Sequence, residues 1–244
     1  MSSSADVFVA RASLLIATLL LLSGCPAPTR APEAPKPEVV APAPVPTPAA
    51  SAKGAAIYEV NPQASTVQIL VFRGGALSRL GHNHVISVKG LRGRVWTHAS
   101  IGKSGFDFAF PVDLLVVDDP DARREAGSDF PPEVSQSDRE GTRRNMLRAE
   151  VLNANEFPEV SIKSISVSGP SNKPDVVARI TIRGVSHDVA LKPAISIGNG
   201  RLSATGEFDV LQSDFGIKPF TAALGALSVQ DRLHVKFNVV ADKK

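Results

Sequence analysis

Apolar and polar residues alternate with a period of two along most of the chain after residue 55. In the segment STVQILVF, for example, Val67, Ile69 and Val71 fall on one face of an extended strand. The same alternation recurs in seven further segments: HVISVKGLRGRVW, FDFAFPVDLLVV, VSIKSISV, VVARITIRG, HDVALKPAISI, RLSATGEFDVL and RLHVKFNVVA. Short turn-forming sequences join several neighbours, which requires antiparallel pairing. The pattern therefore predicts about eight strands in an all-β fold, either a sandwich or a closed barrel.

One long segment interrupts the strand pattern. Residues 118–156 are highly charged and poor in β-branched side chains. This composition predicts an excursion with one or two short helices, one of them over residues 135–149. A connection of this length within a compact domain is typical of a lid or a flap, so an envelope adaptor that contacts a partner through residues 118–156 is one functional alternative.

The N-terminal residues have the layout of an export signal. Arg11 precedes the apolar run ASLLIATLLLLSGC, which is too short for a membrane-spanning helix. The ending Leu-Ser-Gly-Cys resembles the lipobox of bacterial lipoproteins, although an ordinary cleaved signal that contains a cysteine is the alternative. The resemblance implies that residues 1–24 are removed and that Cys25 carries the lipid, palmitate included. Pro26 rather than Asp follows Cys25, which implies an outer-membrane lipoprotein facing the periplasm.

Residues 25–54 form a separate region by composition. Nine prolines lie between Pro26 and Lys53 among alanines, with few large apolar side chains. Such a segment cannot bury a core and is expected to be a disordered tether, with a reach on the order of 80 Å for about 27 residues at about 3.1 Å per residue. Cys25 is the only cysteine, so no internal disulfide is possible. Residues 55–244 then form the folded domain.

Charge and motifs restrict the function classes further. The net charge is +3, the basic residues are scattered and aromatic residues make up 5% of the chain, so the sequence does not predict a nucleic-acid surface. Ser186, His187 and Asp188 are adjacent, whereas the members of a catalytic triad come together in space from separate positions. The chain also lacks a GxSxG nucleophile elbow. These features predict a protein that is not an enzyme and needs no cofactor.

Histidines provide the main candidates for polar chemistry. His82 and His84 in the stretch LGHNHVI are two residues apart, so on a strand they point to the same side and could bind Zn²⁺. His187 shares a face with Val189 and Leu191, and a site built from His82, His84 and His187 is the metal-dependent alternative. The other interpretations are hydrogen bonding at a strand entrance, lining of a barrel mouth, and proton sensing. His98 and His234 receive no functional assignment.

Several ordered motifs resemble one known family. YEVNPQASTVQILV, NEFPEVSIKS, ARITIRGVSHDVAL, FDVLQSDFGI and VQDRLHVKFNV occur in that order and are similar to the YceI-like family of exported bacterial proteins. The resemblance covers residues 57–240. It implies an eight-stranded, antiparallel, lipocalin-like barrel with a helical excursion. It also implies binding of a long apolar chain, such as a polyisoprenoid or another lipid-like molecule, inside the barrel.

The resemblance leaves the contacts of that chain open. Six phenylalanines are candidate walls of the lumen, or else core filling: Phe106, Phe108, Phe110, Phe208, Phe215 and Phe237. His82 and His84 are candidates for the barrel mouth. Arg143 and Arg144 could meet an anionic ligand head, although a solvated helix face is the preferred interpretation. The sequence leaves open whether the protein forms a homodimer. The excursion is longer and more charged than the family requires, and Ser186-His187-Asp188 departs from its usual turn, so the ligand itself is not specified.

Overall fold

The computed structural model describes residues 54–244. The predicted signal sequence, Cys25 and nearly all of the tether lie outside the described residues. Within residues 54–244, no helix is both long enough and apolar enough to cross a membrane.

The described chain contains thirteen strands, two α-helices and five 3-10 turns. The strands are β1 (Ala56–Val60), β2 (Thr66–Gly74), β3 (His84–Ser87), β4 (Arg92–Thr97), β5 (Gly105–Pro111), β6 (Val116–Val117), β7 (Glu159–Ser168), β8 (Asp175–Ile182), β9 (Val185–Leu191), β10 (Ala194–Gly198), β11 (Arg201–Leu211), β12 (Thr221–Ala222) and β13 (Leu227–Lys243). The helices are α1 (Pro120–Ala126) and α2 (Gln136–Leu147). The 3-10 turns are Ser78–Leu80, Ile101–Lys103, Val112–Leu114, Gln212–Phe215 and Ala223–Gly225.

All of the strand pairs are antiparallel, and they close into a lipocalin-like barrel. The 17-residue strand β13 pairs with β1 and β2 along one side and with β11 along the other. From β1 the order continues through β4, β5, β7 and β8 to β9. β9 pairs with β8, and β10, which follows it in the chain, pairs with β11. The segment from β9 to β10 therefore joins the two ends of the sheet.

The predicted count of eight corresponds to eight long segments, three of which are broken into two strands each. The breaks separate β3 from β4, β5 from β6, and β9 from β10. Lys192 and Pro193 separate the last pair, and proline cannot donate a ladder hydrogen bond. Gly90, with φ of 69°, lies in the gap between β3 and β4. β1 and β12 were not predicted as strands.

The excursion over residues 118–156 contains both α-helices, which confirms the prediction of short helices there. Asp119 caps α1 by accepting hydrogen bonds from the backbone N–H groups of Asp121 and Ala122, and Pro120 occupies the first helical turn. Ser135 caps α2 by accepting from the backbone N–H of Asp138. Residues 135–149 were predicted as the helical region, and α2 fills most of it.

Two layers of apolar side chains explain why β2 and β3 are apolar on both faces. Ile69 and Ile86 face the main core inside the barrel. On the outer face, Leu70 and Val85 pack with Ala122 of α1 and with Phe130 beyond it. α1 therefore covers the outside of these strands, and the excursion is partly structural.

One end of the barrel is filled by packed side chains. Val112, Phe215 and Ile217 are at most 5% exposed and belong to the main core cluster. Partly buried residues at the end of α2 and just after it pack against the same cluster, among them Met146 and Leu152. We call this the closed end. Apolar contact with the excursion therefore seals the barrel where β5, β8 and β11 end.

Candidate functional site

An apolar cavity of about 250 Å³ occupies the barrel interior. Side chains from β2, β4, β5, β7, β8, β9, β10, β11 and β13 line it. Within residues 54–244, the lining includes no Asp, Glu, Lys or Arg. An apolar cavity of about 150 Å³ is already large enough to hold benzene, so this one can hold a hydrocarbon group or part of a chain.

Five of the six candidate phenylalanines line the cavity. Phe106 and Phe108 stack with ring centroids 4.7 Å apart, and Phe208 lies 6.1 Å from Phe237 across neighbouring strands. Phe110 also lines the cavity. Phe215 does not, because it belongs to the packing of the closed end, where it is 1% exposed and its ring lies 6.0 Å from that of His187. For Phe215 the core-filling interpretation is therefore correct.

The cavity reaches the surface at the end opposite the closed end. The polar lining residues are Thr97, His98, Ser104 and Ser171, and all of them lie in or beside the loops of this end. Ile197, a lining residue near the β10–β11 turn, is 51% exposed. We call this rim the mouth. Sequence reasoning missed His98, and the only available signal was its position directly after the end of β4.

His82 and His84 lie together, but not at the mouth. Their ring centroids are 4.6 Å apart. Nδ1 of His84 lies 2.7 Å from Oδ2 of Asp118, and the backbone N–H of Val85 donates to Oδ1 of Asp118 at 2.9 Å. Donor atoms of His82, His84 and Asp118 all lie within 4.8 Å of one another. Neither histidine lines the cavity.

A buried arginine completes this polar cluster. Arg123 of α1 is 1% exposed and donates to Asp118, which is itself fully buried, and to the backbone carbonyls of Asn83 and Pro131. Burial raises the pKa of Asp118, but hydrogen bonds from His84, Val85 and Arg123 outweigh it, so the pKa falls below 3.8. Burial and the neighbouring His84 lower the pKa of His82 below 6.5. Asp118 is therefore ionised and His82 neutral at pH 7.

His187 lies apart from these residues, which corrects the predicted three-histidine site. Its Nε2 lies 3.5 Å from Oδ2 of Asp214, on the turn after β11. Within residues 54–244, the third potential metal-ligating group beside His82 and His84 is Asp118. Asp118 went unnoticed because it follows β6 and reaches β3 only through tertiary pairing. In the sequence, the only feature that could have pointed to Asp118 was its position at the charged start of the excursion.

The remaining candidates lie outside the cavity lining. Asp188 forms a bidentate ion pair with Arg179, and Ser186 hydrogen-bonds Thr181, so Ser186, His187 and Asp188 do not form a triad. Arg143 donates to the backbone carbonyl of Asp113, and Arg144 is exposed. Neither arginine lines the cavity. Arg143 therefore ties α2 to the turn after β5, at the closed end.

Comparison with known families decides the classification. The family model described as the YceI-like domain matches residues 58–241. The chain belongs to the YceI-like family. Comparison of the sequence with curated proteins finds no match.

Two solved structures similar to this YceI-like chain support the fold, and a third is less similar to it. BcnA of Burkholderia cenocepacia has a TM-score of 0.55 at 14% identity, covering 75% of this chain and 99% of its own. A polyisoprenoid-binding domain from Saccharophagus degradans, implicated in plant cell wall breakdown, has a TM-score of 0.51 at 10% identity, covering 77% and 98%. The Campylobacter jejuni YCEI protein has a TM-score of 0.48 at 15% identity, covering 65% and 84%.

Proposed function

We propose that this YceI-like domain binds a polyisoprenoid or another lipid-like molecule with a long apolar chain, and carries or sequesters it in the cell envelope. The observation that supports this most directly is the cavity of about 250 Å³, whose lining includes no Asp, Glu, Lys or Arg within residues 54–244. Burying apolar surface contributes about 25 cal/mol per Å² before the entropic costs of association are subtracted. The Saccharophagus degradans structure is that of a polyisoprenoid-binding domain, and a polyisoprenoid belongs to the same class of ligand.

The polar residues of the mouth suit an amphipathic ligand better than a pure hydrocarbon. Thr97, His98, Ser104 and Ser171 carry hydroxyl or imidazole groups at the rim, whereas the walls below are apolar. A chain that enters from the mouth would leave its polar head among these four side chains. They take the role that the sequence suggested for His82, His84, Arg143 and Arg144.

We further propose that Cys25 anchors the protein to the outer membrane, with the barrel in the periplasm. The described chain begins at Gly54, where a Cβ atom would lie 3.8 Å from Nε2 of His98. The tether therefore joins the domain beside the mouth. An attachment at this end is the one that best lets a membrane lipid and the cavity entrance approach each other.

A matched pair of substitutions on β11 tests ligand binding. Ala204 lines the cavity, whereas its neighbour Thr205 is exposed. Ala204→Phe places an aromatic ring in the space a ligand would occupy, and Thr205→Phe adds the same ring outside. The full chain is purified in mild detergent, extracted with organic solvent, and its lipids are quantified by mass spectrometry per mole of protein.

The proposal predicts that Ala204→Phe lowers the amount of bound lipid by at least about tenfold, equivalent to about 1.4 kcal/mol. Thr205→Phe should match the unmodified chain, and circular dichroism should show that both variants fold. Equal lipid in all three proteins would mean that it adheres to the surface or the detergent, and the proposal would fail.

A further inference from the structure

One buried imidazole nitrogen has no partner. Within residues 54–244, Nε2 of His82 is the buried side-chain polar atom that makes no hydrogen bond. Buried polar groups are nearly always satisfied, and an exception calls for a bound water, an ion or a functional role. The orphaned atom is on His82, which forms a cluster with His84 and Asp118, and none of these three residues lines the cavity.

The neighbours of His82 supply the chemistry that a metal ion requires. The three donor atoms lie within 4.8 Å of one another. A tetrahedral Zn²⁺ with bonds of about 2.0–2.1 Å holds its ligands about 3.4 Å apart. His82 precedes β3, and no hydrogen bond from Nε2 holds its side chain in place. Rotation of this side chain can therefore bring the donor atoms to the spacing that the metal requires. Two imidazoles and a carboxylate form a ligand set suited to Zn²⁺ and similar ions.

We propose that His82, His84 and Asp118 bind a divalent transition-metal ion, for which Zn²⁺ is the appropriate probe. Asp118 contacts His84 through Oδ2, and a carboxylate in this position orients a ligating imidazole so that its other nitrogen faces the metal. Asp118 can fill this role or ligate the metal itself. The site differs from the predicted three-histidine site, since Asp118 replaces His187.

Arg123 limits the affinity of this site without blocking it. Its guanidinium donates to Oδ1 of Asp118, so the arginine offsets part of the negative charge that would attract a cation. Oδ2 faces His84 instead. The competing explanation is a purely structural network in which Arg123, Asp118 and His84 fasten α1 to β3. The two explanations assign different roles to His82. In the metal site His82 is a ligand, whereas in the structural network it makes no hydrogen bond.

His82→Phe is the decisive variant. Phenylalanine keeps a planar ring of similar size and removes the nitrogen atoms that could bind a metal. Because Nε2 of His82 makes no hydrogen bond, none is lost from this atom. His187→Phe is the matched control, because His187 lies outside the cluster. The full chain, without a histidine tag and freed of metal by a chelator that is then removed, is titrated with Zn²⁺ by calorimetry, and its melting temperature is followed with and without the ion.

The expected result is binding of one Zn²⁺ per chain with a rise in melting temperature, both retained in His187→Phe. In His82→Phe the affinity should fall by at least about 10- to 100-fold, the loss that removal of an outer-shell partner alone causes, while the metal-free melting temperature stays unchanged. Absence of Zn²⁺ binding, or equal binding in His82→Phe, would overturn the proposal. Lipid content is measured separately, so this result is independent of the carrier function.

Discussion

At the scale of single residues, Gly206 shows how tightly the barrel wall and the cavity are coupled. Gly206 on β11 lies opposite Phe237 on β13. A Cβ atom on Gly206 would meet Cζ of Phe237 at 2.8 Å, closer than such atoms approach in real proteins. The absence of a side chain at position 206 therefore lets the Phe237 ring lie flat against the wall rather than fill the cavity.

Gly206→Val should push the Phe237 ring toward the cavity. We expect a loss of about 1–3 kcal/mol in the free energy of unfolding, the usual cost of overpacking, together with less bound lipid. Urea unfolding measures the first effect and lipid extraction the second. In a Phe237→Ala background the same substitution should cost markedly less, and an equal cost in both backgrounds would show that the two residues are not coupled.

At the scale of elements, the main connection between α1 and the barrel is both apolar and ionic. Ala122 and Phe130 cover Leu70 and Val85 on the outer face of β2 and β3. Arg123 and Asp118, 1% and 0% exposed, form an ion pair beside this patch. Removing Arg123 would leave the buried Asp118 carboxylate with only His84 and the Val85 N–H as partners, and removing Asp118 would leave the buried guanidinium without a carboxylate. Either change costs more than the pair itself contributes.

Arg123→Met should lower the free energy of unfolding by about 3–5 kcal/mol, because it leaves the Asp118 carboxylate buried without its main cation. Adding Asp118→Asn to Arg123→Met should recover part of that loss. Chemical denaturation of the three proteins, each freed of metal, checks both statements. A double variant less stable than Arg123→Met would contradict this account of the ion pair.

Asp118 should also contribute to the loss of folding stability at low pH. Its pKa in the folded protein lies below 3.8, the value of an unperturbed Asp, so the unfolded chain takes up the proton first. Its stabilising contribution is therefore complete well above pH 3.8 and is lost as the pH falls through the folded-state pKa. The unfolding free energy of metal-free protein, measured between pH 7 and pH 2.5, should decline less steeply over this window in Asp118→Asn. Identical slopes would show that Asp118 is not responsible.

At the scale of the whole molecule, the folded domain and the tether are expected to have separable roles. Within residues 54–244, the side chains that line the cavity lie between Val67 and Val239. The tether is expected to set only how far the domain reaches from the membrane. Its composition, with nine prolines between residues 26 and 53, suits an extended spacer.

Deleting residues 30–49 should therefore change reach but not binding. We expect the bound lipid per mole of purified chain to stay within about twofold of the full chain, although the reach falls to about 25 Å. The extraction used for Ala204→Phe measures this directly. Loss of lipid from the deletion variant would mean that the tether takes part in binding.

The pattern of residues predicted most of the architecture. The alternation in β2, β7, β8, β11 and β13 identified these strands because one face of each must be buried. The breaks between β3 and β4, and between β5 and β6, were missed, because apolar periodicity does not register a kink when both flanking segments keep the same pattern. The separation of cavity wall from core filling was also missed. Phe215 and Phe208 look alike in sequence, and only their depth along the barrel distinguishes them.

By itself the sequence determined the strand content, the excursion and its helices, the membership of the YceI-like family and the pairing of His82 with His84, because these depend on local spacing and on ordered motifs. Only the tertiary structure decided where the cavity opens, which end is packed, and that Asp118 and Arg123 rather than His187 join the two histidines. These contacts link residues between 34 and 40 positions apart in the chain. No local pattern encodes them, since they arise from how β3, β6 and α1 come together when the barrel closes.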